Sequence, residues 1–344
     1  PALPPGTDLQ EYYGVPPGPR AEVVPVGCVD WIDLVPRPLQ YLPARLQELT
    51  FSRRAADWVR TRRPGSLVVS REIEAALRLA RRGHASLFLE IHRVPGGSTR
   101  RRWLLEAARG ARGVVAISGG VREDLLSLGV DPDRVHVEHD AFDPARFADL
   151  PSPSEARARL DLPLDAPLVV YTGGLLEWKG VDVLVQAARR LPRVRFVVAG
   201  GMPADVERLR GATRDQAHVR LDGFQPPARV RDYLAAADVV AVPNRSRPAI
   251  SARYTSPLKV FEAMAVGRAV VASDLPSLRE LLTHDRDAWL VPPDDPAALA
   301  AGLERLLGDD ELRRRLGRTL AGRAREHTWD ARARRLLAWM ERAA

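Results

Sequence analysis

The stretch LVVYTGGLLEWKGVDVLVQA, residues 168–187, sets a β-branched run, a glycine turn and a helical period in succession. The pattern predicts a strand ending at Tyr171, a turn at Thr172–Gly173–Gly174 and a helix opened by Lys179–Gly180. That is the first part of a βαβ unit, the building block of parallel sheets. The alternation continues downstream through VRFVVAGG, DVVAVPN, AVVASD and AWLVPP, which start at 194, 238, 269 and 288. Upstream it runs through SLVVS (66–70), ASLFLEI (85–91), GVVAIS ending in Ser118, and RVHVEH (134–139). The helix REIEAALRLARR places Ile73, Ala76, Leu77 and Ala80 on one face, and another helix, through Leu125 and Leu128, stops at Gly129. Between the two series, FDPARFADLPSPSEARARLDLPLDAP (142–167) is proline and charge with little apolar periodicity, and reads as a linker. The expected organisation is α/β: two doubly wound, Rossmann-like domains over 1–150 and 168–325, a linker over 151–167, and a final helix over 326–344 opening near Trp329.

Length and composition agree with that division. A chain of 344 residues suits two domains of about 150 to 170 residues each. Its 45% hydrophobic and 28% charged content is that of a water-soluble globular protein, and no apolar run approaches the roughly 20 residues of a membrane span. The single cysteine, Cys28, excludes an internal disulfide framework and fits a reducing cytosol. The formal charge is +8, with arginine clusters at Arg53, Arg54, Arg60, Arg62 and Arg63, at Arg100 to Arg102, and along the tail from Arg313 to Arg335. Solvated helix faces explain most of it. Peripheral contact with an acidic membrane face is the next reading, whereas nucleic acid is not expected, because no zinc-finger, homeodomain or aromatic RNA-binding signature accompanies the charge.

Of the 52 basic residues only two are lysines, Lys179 and Lys259, and both lie near loops after predicted strands. Ligands of open parallel sheets bind outside the carboxyl ends of the strands. In TSPLKVFEAMAVG, Ser256 suits an N-cap and Pro257 the first helical position, with the helix running from about Leu258 to Val266 and stopping at Gly267. Such a helix start offers free N–H groups and a positive dipole end to an anion. Lys259 adds a compact point charge where arginine would need planar, bidentate geometry. Glu262 lies on the same helix side and suits ribose hydroxyls rather than phosphate. An anion site followed by a hydroxyl acceptor points to a nucleoside diphosphate. The glycine turn and Lys179 of YTGGLLEWKG repeat the arrangement in the same domain.

On these residues the second half, from about Leu168, resembles the donor domain of a family 4 glycosyltransferase of the GT-B fold. The likeness rests on YTGGLLEWKGVDVLVQA, VRFVVAGG, VRLDGFQPPARVRDYLAAADVVAVPN, SPLKVFEAMAVGRAVVASDLPSLRELL and DAWLVPPDDPAALAAGLERLLGD. The first half is similar more loosely, through SREIEAALRLARRGHASLFLEIHRVPG and AISGGVREDLLSLGVDPDRVHVEHDAFDPARF. The resemblance implies two domains facing across a cleft, with Gly173, Gly174, Lys179, Ser256, Pro257, Leu258 and Lys259 holding a donor diphosphate and Glu262 its ribose. It implies His92 facing the donor sugar, with Lys179 and His92 as the catalytic pair. Arg122 and Tyr254 are further candidates at the cleft.

The implied activity is transfer of a sugar, with retention, from a nucleotide sugar to a hydroxyl of a polysaccharide, glycolipid or small metabolite. UDP-sugars are expected first and GDP-sugars next, with no bound cofactor and no metal. His136 and His139 point to opposite strand faces and form no metal site. The location implied is cytoplasmic, at the inner face of the plasma membrane where the acceptor is lipid-linked. Two positions depart from the family: Gly174 stands where an arginine is frequent, and Tyr254 stands where a second glutamate is frequent, eight residues before Glu262. The SPLK form of the motif resembles a subgroup lacking that glutamate. The opening PALPPGTDLQEYYGVPP resembles the region after the family's second strand, so the first strand, loop and helix are expected to be missing from this chain. A GT-B nucleotide-sugar epimerase and a non-catalytic sugar-nucleotide-binding protein are the alternatives.

Overall fold

A computed structural model describes residues 24–343, which divide after Pro64 into two compact units. The opening PALPPGTDLQEYYGVPP, expected to follow a missing first strand, loop and helix, lies outside the described residues. In the first unit the main element is α1 (Tyr41–Arg62). Thr50 Oγ1 donates to Leu46 O at 2.8 Å and accepts from Val29 N–H at 3.0 Å, tying an incoming segment to the helix.

The second unit contains two parallel sheets. The first is built in the order β1 (Val68–Ser70), α2 (Ile73–Arg81), β2 (Leu87–Ile91), α3 (Ser98–Gly110), β3 (Gly113–Ala116), α4 (Gly119–Ser127) and β4 (Val135–Val137). Its strands lie side by side in chain order. The second begins with α5 (Pro153–Arg159), β5 (Leu168–Thr172), α6 (Val181–Ala188), β6 (Arg195–Ala199), α7 (Pro203–Ala212), β7 (Val219–Gly223) and α8 (Pro227–Ala236). It continues through β8 (Val239–Val242), α9 (Ala249–Ala252), α10 (Leu258–Val266), β9 (Ala269–Ser273), α11 (Pro276–Arg279) and β10 (Trp289–Val291). Helices α12 (Pro296–Leu307), α13 (Asp310–Gly322) and α14 (Trp329–Arg342) close the chain. Among the described residues no helix is long and apolar enough to cross a membrane.

The runs LVVYT and AVVAS are buried at every position because helices cover both sheet faces, which is why they read as continuous rather than alternating. Strand β7 carries VRLDG at a sheet edge, with its side chains at least partly exposed, so no β-branched run announced it. The strand order β10-β9-β8-β5-β6-β7 reverses direction at β5, which pairs with β6 on one side and β8 on the other. The connections leaving β5 and β8 therefore lead to helices on opposite faces of the sheet, the switch point at which ligands of such sheets bind.

The stretch 151–167, expected as a linker, folds in part as α5 and packs along α8. Its prolines and charges make a start signal rather than a break. Pro153 takes the first helical position, and Ser152 and Glu155 form a reciprocal capping box. Its buried face is short, Ala156 and Leu160, and is completed by the Arg157 guanidinium, which bonds Leu164 O at 2.7 Å, Ala236 O at 3.1 Å and Asp238 Oδ2 at 2.9 Å. Apolar periodicity misses such a helix because an arginine occupies part of its inner side.

Helix α14 packs on the first sheet, where Leu336 and Met340 meet Phe88 and Val115. Trp339 stacks on His136 with ring centres 5.0 Å apart. Arg332 Nη2 donates to Glu90 Oε2 at 2.9 Å and Arg335 Nη2 to Glu138 Oε1 at 2.6 Å. The start of α4 butts against the second domain: Ser118 Oγ donates to Arg253 O at 2.8 Å and Gly119 N–H to Glu280 Oε2 at 2.8 Å. A Cβ at Gly120 would lie 2.4 Å from Arg253 O, so only glycine permits this approach.

Candidate active site

A cavity of about 520 Å³ lies at the carboxyl end of β5, lined by Gly173, Gly174, Lys179, Ser256, Pro257, Leu258, Lys259 and Glu262 among others. Helix α10 starts at Leu258 with Pro257 before it, and no side chain among the described residues caps it. Ser256, expected as the cap, is used elsewhere: its Oγ accepts the backbone N–H of Asp140 at 2.8 Å. The proline fixes the entry backbone, and the leading amides of α10 are left for a ligand.

Lys259 sits in that first turn and is 6% exposed. Its Nζ lies 3.6 Å from the centre of the Tyr171 ring and has no hydrogen-bond partner among the described residues. Burial lowers its pKa well below the ordinary lysine value, Lys179 lowers it further, and Glu262 opposes both. A buried ammonium without a partner favours an anion beside it.

Lys179 ends a 3₁₀ turn, Glu177–Lys179, rather than opening α6. Its Nζ lies 4.0 Å from the centre of the Trp178 ring, and burial lowers its pKa to about 8. Gly180 follows with φ 69°, and a Cβ there would stand 1.8 Å from Pro243 O. The loop after β5 can therefore press against the loop after β8 only with glycine at 180, and this contact sets the position of Lys179.

Glu262 lies one turn beyond Lys259 in the same cavity. Burial raises its pKa, against the pull of Arg146 and Lys259. Thr172 adds a buried hydroxyl that has no partner among the described residues. Asp140, Arg146, Gln225, Pro227, Val230 and Thr255 complete the lining.

Asp140, just after β4, reaches this cavity, as does Arg146. Burial raises its carboxyl pKa, Glu90 adds to the rise, and His92, Arg332 and Arg71 draw it back. His92 does not line the cavity. Its Nε2 donates to Glu90 Oε1 at 2.7 Å, while its Nδ1 faces Arg71 Nη2 at 3.4 Å, which assigns the proton to Nε2 because arginine can only donate. Burial alone would raise Glu90, but hydrogen bonds from His92 and Arg332 outweigh it and hold its pKa at about 2. Arg122 and Tyr254 are likewise outside the lining. Arg122 rides on α4, and the Tyr254 hydroxyl bonds Asp124 on the same helix. Beside it Arg253 Nη2 donates to Asp124 Oδ1 at 2.8 Å.

Of the residues that sequence reasoning named, Gly173, Gly174, Lys179, Ser256, Pro257, Leu258, Lys259 and Glu262 line this one cavity, and it passed over others that reach it. Arg146 lay in the stretch read as a linker, and Asp140 follows a short strand with no motif around it. Thr172 was readable: it closes a fully buried strand just before the glycine turn.

Comparison with known proteins follows the same division. The family description "Glycosyltransferase Family 4" matches residues 12–146, and "Glycosyl transferases group 1" matches residues 166–309. A D-inositol 3-phosphate glycosyltransferase of Xylanimonas cellulosilytica is 37% identical over 242 residues, covering 65% of this chain and 55% of that protein. An alpha-maltose-1-phosphate synthase of Mycolicibacterium smegmatis is 33% identical over 247 residues, covering 65% and 61%. The chain therefore spans little more than half the length of these curated relatives. Among solved structures, Anabaena HepE in complex with UDP superposes with TM-score 0.74 at 20% identity, covering 86% of this chain and 84% of that one. Sucrose-phosphate synthase of Thermosynechococcus elongatus gives 0.73 at 22% identity, covering 90% and 80%. With one family description on each sheet, in this order along one chain, and the two-domain parallel architecture of solved GT-B enzymes around them, the chain belongs to glycosyltransferase family 4 and has the GT-B fold.

Proposed function

We propose that the chain binds a nucleoside diphosphate sugar and transfers the sugar, with retention of configuration, to a hydroxyl-bearing acceptor. The observation that carries this reading is the Lys259 ammonium, buried at a helix start and without a hydrogen-bond partner or side-chain cap among the described residues, in one cavity with Lys179 and Glu262. The diphosphate lies against the leading amides of α10 and the two lysines, and Glu262 accepts from the ribose hydroxyls. As the bond from sugar to phosphate breaks, negative charge grows on the phosphate, and ammonium groups already in place meet it without reorganisation. Positive charge from two lysines and a helix start leaves this step with no need for a metal ion. The leaving phosphate assists attack of the acceptor hydroxyl on the same face, which gives retention. His92, held by Glu90, acts from the first domain on the sugar side.

UDP is favoured as the carrier, since HepE is described with UDP and with UDP-glucose; GDP comes next. The two relatives' names support a small-metabolite acceptor, whereas the charge of +8 favours a lipid-linked one at an acidic membrane face, on the cytoplasmic side. The first sheet serves the acceptor and the second the donor. Tyr254, turned to Asp124, supports the SPLK subgroup without a second glutamate.

Thermal unfolding with UDP, GDP, ADP and dTDP tests the reading. One diphosphate is expected to stabilise the wild type and to lose its effect on Lys179→Ala and Glu262→Ala. A wild type indifferent to all four overturns it.

A further inference from the structure

The two carboxylates in the cavity lie on either side of its anion-binding turn. Asp140 is tied to Ser256, just before the turn of Pro257 to Lys259, and Glu262 follows one helical turn after it. Neither carboxylate suits a phosphate, since like charges repel. Read along the segment, the site therefore offers a hydroxyl acceptor, an anion clamp and a second hydroxyl acceptor. A nucleotide sugar has the same order of groups: ring hydroxyls, diphosphate, ring hydroxyls. Building on the function proposed above, in which Glu262 takes the ribose, we infer that Asp140 receives hydroxyls of the transferred sugar and so takes part in choosing the donor.

Three observations support this role. The bond to Ser256 uses the backbone of Asp140 and fixes the residue at the cavity wall, while none of the described residues donates a hydrogen bond to its carboxylate. The acceptor capacity of that carboxylate is thus unspent. Position 254 supplies no acid from the second domain, because a tyrosine stands there and its hydroxyl is turned to Asp124. The Arg71 and Arg332 guanidiniums near Asp140 also oppose the rise that burial and Glu90 give its carboxyl pKa, which favours the ionised acceptor that a neutral sugar needs. An ionised carboxylate can accept two neighbouring hydroxyls at once.

The test is calorimetric titration of UDP, GDP and their glucose, galactose and N-acetylglucosamine donors into wild type, Asp140→Asn, Asp140→Ala and Lys259→Ala. The donor that binds wild type tightest is compared with its own diphosphate. Asp140→Asn and Asp140→Ala are expected to keep the diphosphate affinity within about threefold and to weaken the donor about tenfold or more, the scale of lost hydrogen bonds to a charged group. Asp140→Asn keeps the shape of the side chain and decides the matter where Asp140→Ala does not fold. Donor affinity retained in Asp140→Asn, or donor and diphosphate falling together, overturns the inference, as does a wild type that binds a diphosphate but no hexose donor. The Lys259→Ala arm separates this from the function itself: diphosphate binding lost there upholds the diphosphate site whatever Asp140 does. A wild type that binds neither UDP nor GDP ends both.

Discussion

The Lys259 ammonium lies 3.6 Å from the centre of the Tyr171 ring, and that ring is its nearest compensation for burial. A cation over a ring gains roughly 0.5–2 kcal/mol, whereas withdrawing an ion from water costs several. The free protein therefore carries a local strain in charge, which an anion relieves. Lys259→Met removes the ion and keeps the volume. It is expected to raise stability by about 1 kcal/mol, or ~2–4 °C in the midpoint of thermal unfolding, and to abolish stabilisation by the nucleoside diphosphate. A midpoint lower than wild type would show that the ammonium is satisfied in the free protein.

Under the proposed reading the same lysines predict a pH dependence of nucleotide binding with a definite sign. In the free protein burial holds Lys179 at about 8 and Lys259 well below the ordinary value. A bound diphosphate favours the charged forms and raises both, so binding takes up protons wherever a lysine is neutral beforehand. Affinity is expected to fall as pH rises through 8, by up to about tenfold per pH unit for each lysine titrating. The stability of the free protein moves the other way. Between the folded values and the ordinary lysine value near 10.4 the unfolded chain binds more protons, so rising pH stabilises the fold. Titrations of UDP and GDP between pH 7 and 10 check the first trend, and urea midpoints without nucleotide check the second; a flat affinity profile excludes the lysines as the anion clamp.

Much of this was legible in the sequence, for a physical reason. A fully buried parallel strand must be apolar throughout, so LVVYT, DVVAV and AVVAS announce themselves, and the site follows because ligands sit at their carboxyl ends. Lys259 and Glu262 were legible because both lie within one helix of nine residues, Leu258–Val266, where local chemistry decides. Ser256 misled because a good capping residue has a second use: its hydroxyl serves Asp140, a residue 116 positions away. His92 was placed by family likeness at the sugar, and the structure engages both its ring nitrogens with Glu90 and Arg71. Arg157 and α5 were hidden because a buried arginine completes a helix face that hydrophobic patterning looks for in leucines. Pairings across the fold leave no local trace, and those are the features that sequence reading passed over.

Glu262 is where recognition of nucleoside and of phosphate can be told apart. Under the proposed reading its carboxylate touches ribose hydroxyls, so pyrophosphate does not need it. Glu262→Gln is expected to weaken nucleoside diphosphate roughly 10–100-fold, the scale of lost hydrogen bonds to a charged acceptor, while pyrophosphate binds as in wild type or slightly better. Competition between the two ligands, measured on both proteins, reads this out. Equal losses for both ligands would place Glu262 in support of Lys259 instead.

Helix α14 is fixed to the first sheet through a charge pair nearly closed to water, Glu90 at 8% and Arg332 at 9% exposed. Arg332 also donates from Nε to His139 O at 2.8 Å. The pKa of Glu90 is about 2 in the folded protein, below its ordinary value near 4.3. The pair's stabilisation is therefore complete above about pH 4.3 and is lost as pH falls toward 2. Arg332→Met leaves Glu90 buried with His92 as its remaining partner, and is expected to cost about 3 kcal/mol at neutral pH. With the arginine gone, Glu90 protonates closer to its ordinary value, so the variant starts lower and loses less between pH 4.3 and 2. Adding Glu90→Gln removes the stranded charge and should return part of the loss, since replacing both members of a buried pair costs less than breaking it. Urea midpoints of the three proteins at pH 7, 4 and 3 decide the point. Parallel losses in wild type and Arg332→Met would show that the pair does not govern the acid stability of this domain.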